Sequence, residues 1–117
     1  MNRKYSLKKN YDIEVLINKR QSVGDANYAI YYDDSNLLVP KIAISVSKKI
    51  GDAVTRNKEK RIIREIIRLN FDLLGNYNYL IIEKKKALLL SYDEKDFILK
   101  KLFKRIEKVK GGKNEKY

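Results

Sequence analysis

The stretch from Val54 to Asn70 restricts this chain more than any other, because it carries an apolar arc and a cationic arc on the same helical period. Side chains on an α-helix advance about 100° per residue. On that wheel Ile62, Ile63, Ile66, Ile67 and Leu69 fill an arc of about 160°, and Lys60, Arg61, Arg64 and Arg68 fill an adjoining arc of about 100°. The first arc must be buried against other structure. The second has no acid inside it: Glu65 borders it, and Glu59 is read as lying on the far side. Exposed helix faces usually mix charges to gain small i,i+4 energies, so an unmixed ridge of cations calls for a ladder of phosphates. A merely solvated charged face is the competing reading.

The whole chain shares that bias. Its 117 residues carry 27 Lys and Arg against 15 Asp and Glu, a formal charge of +12. So much charge on a body large enough for one modest core repels itself and favours a polyanionic partner. Cysteine, histidine and tryptophan are absent. This excludes disulfides, Cys/His zinc sites and Cys–His or Ser–His nucleophile pairs. It also removes the usual neutral-pH acid/base, so the chain reads as a binder. Asp33 and Asp34 fall in a polar stretch, Asp33-Asp34-Ser35-Asn36, that suits a turn better than a metal site. The amino end, Asn2-Arg3-Lys4-Tyr5, leads into no apolar stretch. Runs such as Ala87-Leu88-Leu89-Leu90 are far too short for a bilayer, so a cytoplasmic location is expected.

Neither a repeat nor a linker divides the sequence. Ile13, Leu16 and Ile17 predict a first helix over about 10–19. Strands are expected at Ala26–Tyr32 and Lys41–Ser47, the latter alternating Ile42, Ile44 and Val46 with Ala43, Ser45 and Ser47. The turn at 33–36 suggests that these two pair antiparallel. A short strand near Gln21-Ser22-Val23 is a further candidate. After the basic helix come a strand at Tyr79–Ile82 and a last helix. Ser91 and Glu94 have the spacing of a capping box at its start, and Phe97, Ile98, Leu102, Phe103 and Ile106 supply its apolar stripe. The segment from Lys108 to Tyr117 reads as a disordered tail, leaving about 6–108 ordered. The order is α, β, β, α, β, α: a single α+β domain with helices against a small, mostly antiparallel sheet. Gly51 permits a close backbone approach, and Asn57 suits a helix cap. Amides at the helix start, beside Lys48, Lys49 and Arg56, could hold a phosphate or an ordered ion-water shell.

Arg56-Asn57-Lys58-Glu59-Lys60-Arg61-Ile62-Ile63-Arg64 matches the pattern Arg-Asn-x-x-Lys-Arg-x-x-Arg, and Ser47-Lys48-Lys49-Ile50-Gly51-Asp52-Ala53-Val54 precedes it. These residues closely resemble the signature of the bacterial ribonuclease P protein component. The resemblance extends to Leu7-Lys8-Lys9-Asn10, the Tyr79–Ile82 strand and the last helix, covering about 6–108. It implies an α-β sandwich with a left-handed β-α-β crossover around the basic helix, a hand that general chain geometry disfavours. It also implies the protein subunit of an RNA-based endoribonuclease in which the RNA, with Mg2+, removes the 5′ leader of precursor tRNA. The expected partners are the ribonuclease P catalytic RNA and precursor tRNA, without a membrane or an obligate protein partner. No catalytic or metal-ligating residue is expected on the protein itself. Carried onto this sequence, Lys48, Lys49, Arg56, Asn57, Lys60, Arg61, Arg64 and Arg68 would contact the catalytic RNA. Ile13, Ile17, Tyr28, Tyr31 and Ser45 would line the leader cleft, with Lys84 and Lys85 at its edge.

Two departures from the family pattern stand out. Ile13 and Ile17 occupy positions usually held by phenylalanine, which keeps the surface apolar but removes rings that stack on bases. Glu83-Lys84-Lys85-Lys86 replaces a segment that often holds arginine, lysine and proline, keeping the charge with a different loop. Two rivals stay open on sequence grounds: a ribosomal or other structural RNA-binding protein, and a carboxylate-and-magnesium nuclease. A duplex-DNA reader is disfavoured by the lack of helix-turn-helix spacing.

Overall fold

Apolar side chains in this chain recur with period 2 in short runs and with helical period in longer ones, and the fold follows from that division. The computed structural model describes residues 10–33 and 38–115. The expected Leu7-Lys8-Lys9 segment, most of the Asp33–Asn36 turn and the last two tail residues lie outside them. The elements run α1 (Asn10–Asn18), β1 (Ser22–Gly24), β2 (Tyr28–Asp33), β3 (Lys41–Val46), α2 (Ala53–Leu69), β4 (Asn78–Glu83) and α3 (Tyr92–Glu115). Short 3-10 turns at Phe71–Leu73 and Lys85–Leu89 flank β4. The α+β class holds, and α3 continues past Lys108, where the tail was expected to begin.

Strand order in the sheet is β1-β2-β4-β3. The β1–β2 and β2–β4 pairs are antiparallel, while β3 and β4 are parallel neighbours joined through α2. The expected β2–β3 hairpin is therefore corrected: β4 lies between them. Side-chain chemistry explains the choice. In β4 the consecutive residues Tyr79, Leu80 and Ile81 are all buried, so this strand needs cover on both faces and takes a central place. In β3, exposed Ser45 follows half-buried Ile44, as suits an edge strand with one wetter face.

Alternation then sorts the two faces. Tyr28, Ile30 and Tyr32 share one face with Tyr79, Ile81, Ile42 and Val46, and α2 and α3 cover it. Ile63, Ile66 and Ile67 of α2 and Leu99, Leu102, Phe103 and Ile106 of α3 complete this core. Burying each such side chain contributes about 1.5–3 kcal/mol. Tyr79 meets the Phe103 ring edge-on at 5.7 Å, and its hydroxyl accepts a hydrogen bond from the Gly75 amide at 2.9 Å. Not every expected core residue is inside: Leu69 is largely exposed, and so is Phe97, which points away from the buried stripe of α3. The opposite sheet face carries Ala29, Tyr31, Leu80, Ile82, Ala43 and Ser45, and α1 packs on it against β2 and β4. Leu16 and Leu80 are buried here, outside the main core. The Lys19–Asp33 ion pair, 2.8 Å, ties the end of α1 to the end of β2.

Both long helices begin with side-chain caps. Asp52 accepts from the Thr55 amide at 2.8 Å, so Asp52, not Asn57, caps α2. This bond holds the Asp52 carboxyl below its ordinary range. At α3, Ser91 Oγ accepts from the Glu94 amide at 3.2 Å and Glu94 accepts from the Ser91 amide at 2.9 Å, completing the expected capping box. Near Gly51 the close neighbour is Thr55: a Cβ there would stand 3.0 Å from the Thr55 Cγ2.

Candidate RNA interface

The cationic ridge of α2 stands where the helical period puts it. Arg61, Arg64 and Arg68 are exposed, Lys60 and Arg56 are half-buried, and Asn57 is exposed on the first turns. Ile63, Ile66 and Ile67 anchor the opposite side of the helix, so the ridge is presented by a rigid element. One cation is already engaged: Glu65 bonds both Arg68 Nη2, at 2.7 Å, and Arg68 Nε, at 3.2 Å. The ridge is thus less uniformly free than its sequence implies. Lys48 and Lys49 are exposed in the turn that closes with the Ile50 amide on the Ser47 carbonyl, just before the helix. Because the Asp52 carboxylate takes one start amide, the α2 N-terminus offers an anion less than the bare sequence suggests.

Some of the residues expected to line the leader cleft share one face of the sheet. Tyr31 and Ser45 belong to the α1-bearing sheet face, and half-buried Ile13 and partly exposed Ile17 come from α1 itself. Leu80 lies between Tyr31 and Ala43 in register and is buried on this face. Tyr28 is a correction. Strand alternation turns it to the other face, where it is fully buried and cannot line the groove. Its hydroxyl stays protonated far above the ordinary range because of burial and the neighbouring charges of Glu83 and Glu59.

Charge surrounds the groove at one end. Ser45 pairs in register with Ile82, so the ends of β3 and β4 bring Lys48 and Lys49 to the same sheet end as Lys84 and Lys85. Lys84 donates its Nζ to the Asp25 carbonyl at 2.5 Å and its amide to the Asn27 carbonyl at 2.8 Å, which fixes the loop without proline. Lys85 is exposed. The start of α2 lies at this end too, so groove and ridge are joined by one basic rim.

Beneath the rim lies a feature that sequence reading missed. Lys95 Nζ bonds Glu59 Oε1 at 2.8 Å with both side chains almost wholly buried, and Glu83 is buried beside them. Burial first, and then the Glu59 charge, push the Glu83 carboxyl up to about 7, against the opposing pull of Lys95. The Tyr28 hydroxyl faces Glu83 on the same sheet face without closing a well-formed hydrogen bond, so burial and the Glu59 charge favour the protonated form of Glu83. Among the described residues there is no group of three or more His, Cys, Asp or Glu side chains able to hold a metal. No described helix is long and apolar enough to cross a membrane.

These elements define a small basic α+β protein that presents a cationic helix, α2, on one face of the sheet and carries the short helix α1 on the other. The sequence model of the family described as Ribonuclease P matches residues 1–107, and the chain belongs to that family. The ribonuclease P protein component of Mycoplasma mycoides is 38% identical over 109 residues, spanning 92% of this chain and 100% of that one. That of an Exiguobacterium species is 34% identical over 105 residues, 90% of this chain and 92% of its own. Among solved structures, the Staphylococcus aureus RNase P protein superposes with a TM-score of 0.80 at 29% identity, covering 87% of this chain and 94% of that chain. The Thermotoga maritima RNase P protein shares the fold, with a TM-score of 0.79 at 24% identity over 86% of this chain and 96% of that one.

Proposed function

We propose that this protein docks on a ribonuclease P catalytic RNA through the α2 ridge and holds the single-stranded 5′ leader of precursor tRNA in the α1–sheet groove. The carrying observation is the ridge itself, in which Arg61 and Arg64 stand exposed with no ion-pair partner among the described residues. Arg56, Asn57, Lys60 and Arg68 extend that contact, and Lys48 and Lys49 carry it to the groove. Tyr31 offers a ring to a leader base, Ile13 and Ile17 offer apolar contact, and Lys84 and Lys85 draw the leader phosphates. The RNA, with Mg2+, supplies the hydrolysis in the cytoplasm. The protein lowers the magnesium needed by neutralising phosphates, and it discriminates precursor from product because mature tRNA has no leader.

Affinity measurements on the reconstituted complex test the groove. Tyr31→Ala is expected to weaken precursor tRNA binding about tenfold, in line with the loss of one stacked base, and to leave mature tRNA binding unchanged. Ile17→Phe, which adds a ring at a partly exposed position, is expected to tighten precursor binding several-fold. Equal effects on precursor and product would contradict the leader assignment.

A further inference from the structure

Helix α3 has an outward face that neither the ridge nor the groove uses. Phe97 is 67% exposed there, although it lies on a helix whose other face is deeply buried. Lys100, Lys101, Lys104, Arg105 and Lys108 follow at helical spacing, and with Phe97 they line a shallow trough of about 330 Å³. The six side chains fall within an arc of about 140°, and from Phe97 to Lys108 that arc holds no acid. Asp96 and Glu107 lie to one side of it, and Asp96 engages Lys100 at 3.1 Å. Arg105 reaches the Gly24 carbonyl at 3.3 Å, which sets the stripe beside the β1 edge of the sheet. The α2 ridge is on a neighbouring helix of the same sheet face, with α2 packed against β3 at the opposite sheet edge from β1. The stripe runs along α3 toward the β1 edge, away from the β3 edge on which α2 packs.

We propose that the outward face of α3 is a second RNA-binding surface, which takes a single-stranded segment with a base stacked on Phe97 and phosphates on Lys101, Lys104 and Lys108. Charge selects a polyanion, and the exposed ring selects one whose bases are free to stack; a duplex hides those faces. An acidic protein would satisfy the lysines and leave the ring without a specific role. The partner class is the one already proposed for the chain, but the surface is separate from the ridge and the groove.

The sequence has no tryptophan, so Phe97→Trp places a single reporter in the stripe. Full-length protein carrying it is titrated with oligouridine at about 0.1 M salt, where the Debye length is about 10 Å. Saturable quenching is expected, and it should persist when Arg61→Ala and Arg64→Ala are added. Changing Lys101, Lys104 and Lys108 together to alanine should weaken binding at least tenfold and lower the log–log salt slope by about two. In the chain without the tryptophan, Phe97→Ala should weaken binding of labelled oligouridine about fivefold or more. Circular dichroism verifies that each variant is folded. No quenching, quenching abolished by the α2 changes, or an equal response to polyglutamate would overturn the proposal. Docking on the ribozyme is read separately from the Arg61 and Arg64 variants alone, so the two surfaces fail or stand independently.

Discussion

Changing Arg61 and Arg64 together to alanine is expected to weaken binding to a bacterial ribonuclease P RNA about a hundredfold while leaving the fold intact. Both side chains are exposed and neither is paired among the described residues, so their loss removes phosphate contacts without orphaning a buried group. Charge-assisted bonds of this kind contribute about 1.5–3 kcal/mol each, and water at the rim of the contact reduces that. Losing two phosphate contacts should also lower the salt dependence of binding by about two in log–log slope. Arg68→Ala should cost less than Arg64→Ala, because Arg68 must first give up its fork with Glu65. Filter binding across a salt series measures all three. An unchanged slope in the double variant would mean that the ridge does not meet phosphate.

The largest expected loss of stability comes from a residue with no part in RNA contact. Lys95→Met should destabilise the fold by about 3–5 kcal/mol, because it strands Glu59 beside Glu83 in the core without their shared cation. In a domain of this size that lowers Tm by about 10–20 °C. Glu83→Gln keeps the shape and removes a titrating group, so it should cost little. It should also flatten the pH profile in a definite direction. The Glu83 carboxyl has a folded value of about 7, raised above its ordinary value of 4.5, so between those values the native state binds more protons than the unfolded chain. Stability from this group is full below about 4.5, falls as pH rises, and is gone above about 7. Denaturant titrations from pH 5 to 8 should show that decline in the native chain and not in Glu83→Gln. Equal slopes would mean that the Glu83 carboxyl is not raised in the folded chain.

How much of this was legible in the sequence depends on whether periodicity alone decides the outcome. Residues 62–67 place the apolar side of α2 correctly, and Ser91 with Glu94 marks the start of α3, because both signals are local. Strand order is not local. The short turn after Asp33 suggested a hairpin, but β4 satisfies β2 and β3 together and displaces it. Tyr28 was carried over with Tyr31 from the family resemblance, but three residues apart on one strand they lie on opposite faces. Phe97 was counted in the apolar stripe of α3, although its helical angle is opposite that of Ile106. Glu59 was equally readable. It falls between Ile63 and Ile66 on the α2 wheel, inside the apolar arc, and Lys95 precedes buried Leu99 by one turn. That these two meet at 2.8 Å depends on how α2 crosses α3, which no one-dimensional pattern contains. The site divides the same way: the ridge is written on one helix, whereas the groove needs α1 and three strands to be placed first.

Precursor tRNA cleavage at low magnesium, with the purified protein added to a bacterial ribonuclease P RNA or tested without it, examines the central claim most directly. Removal of the 5′ leader only when protein and RNA are combined is the predicted result. Cleavage by the protein alone, or tight RNA binding that leaves the RNA no more active at low magnesium, would contradict it.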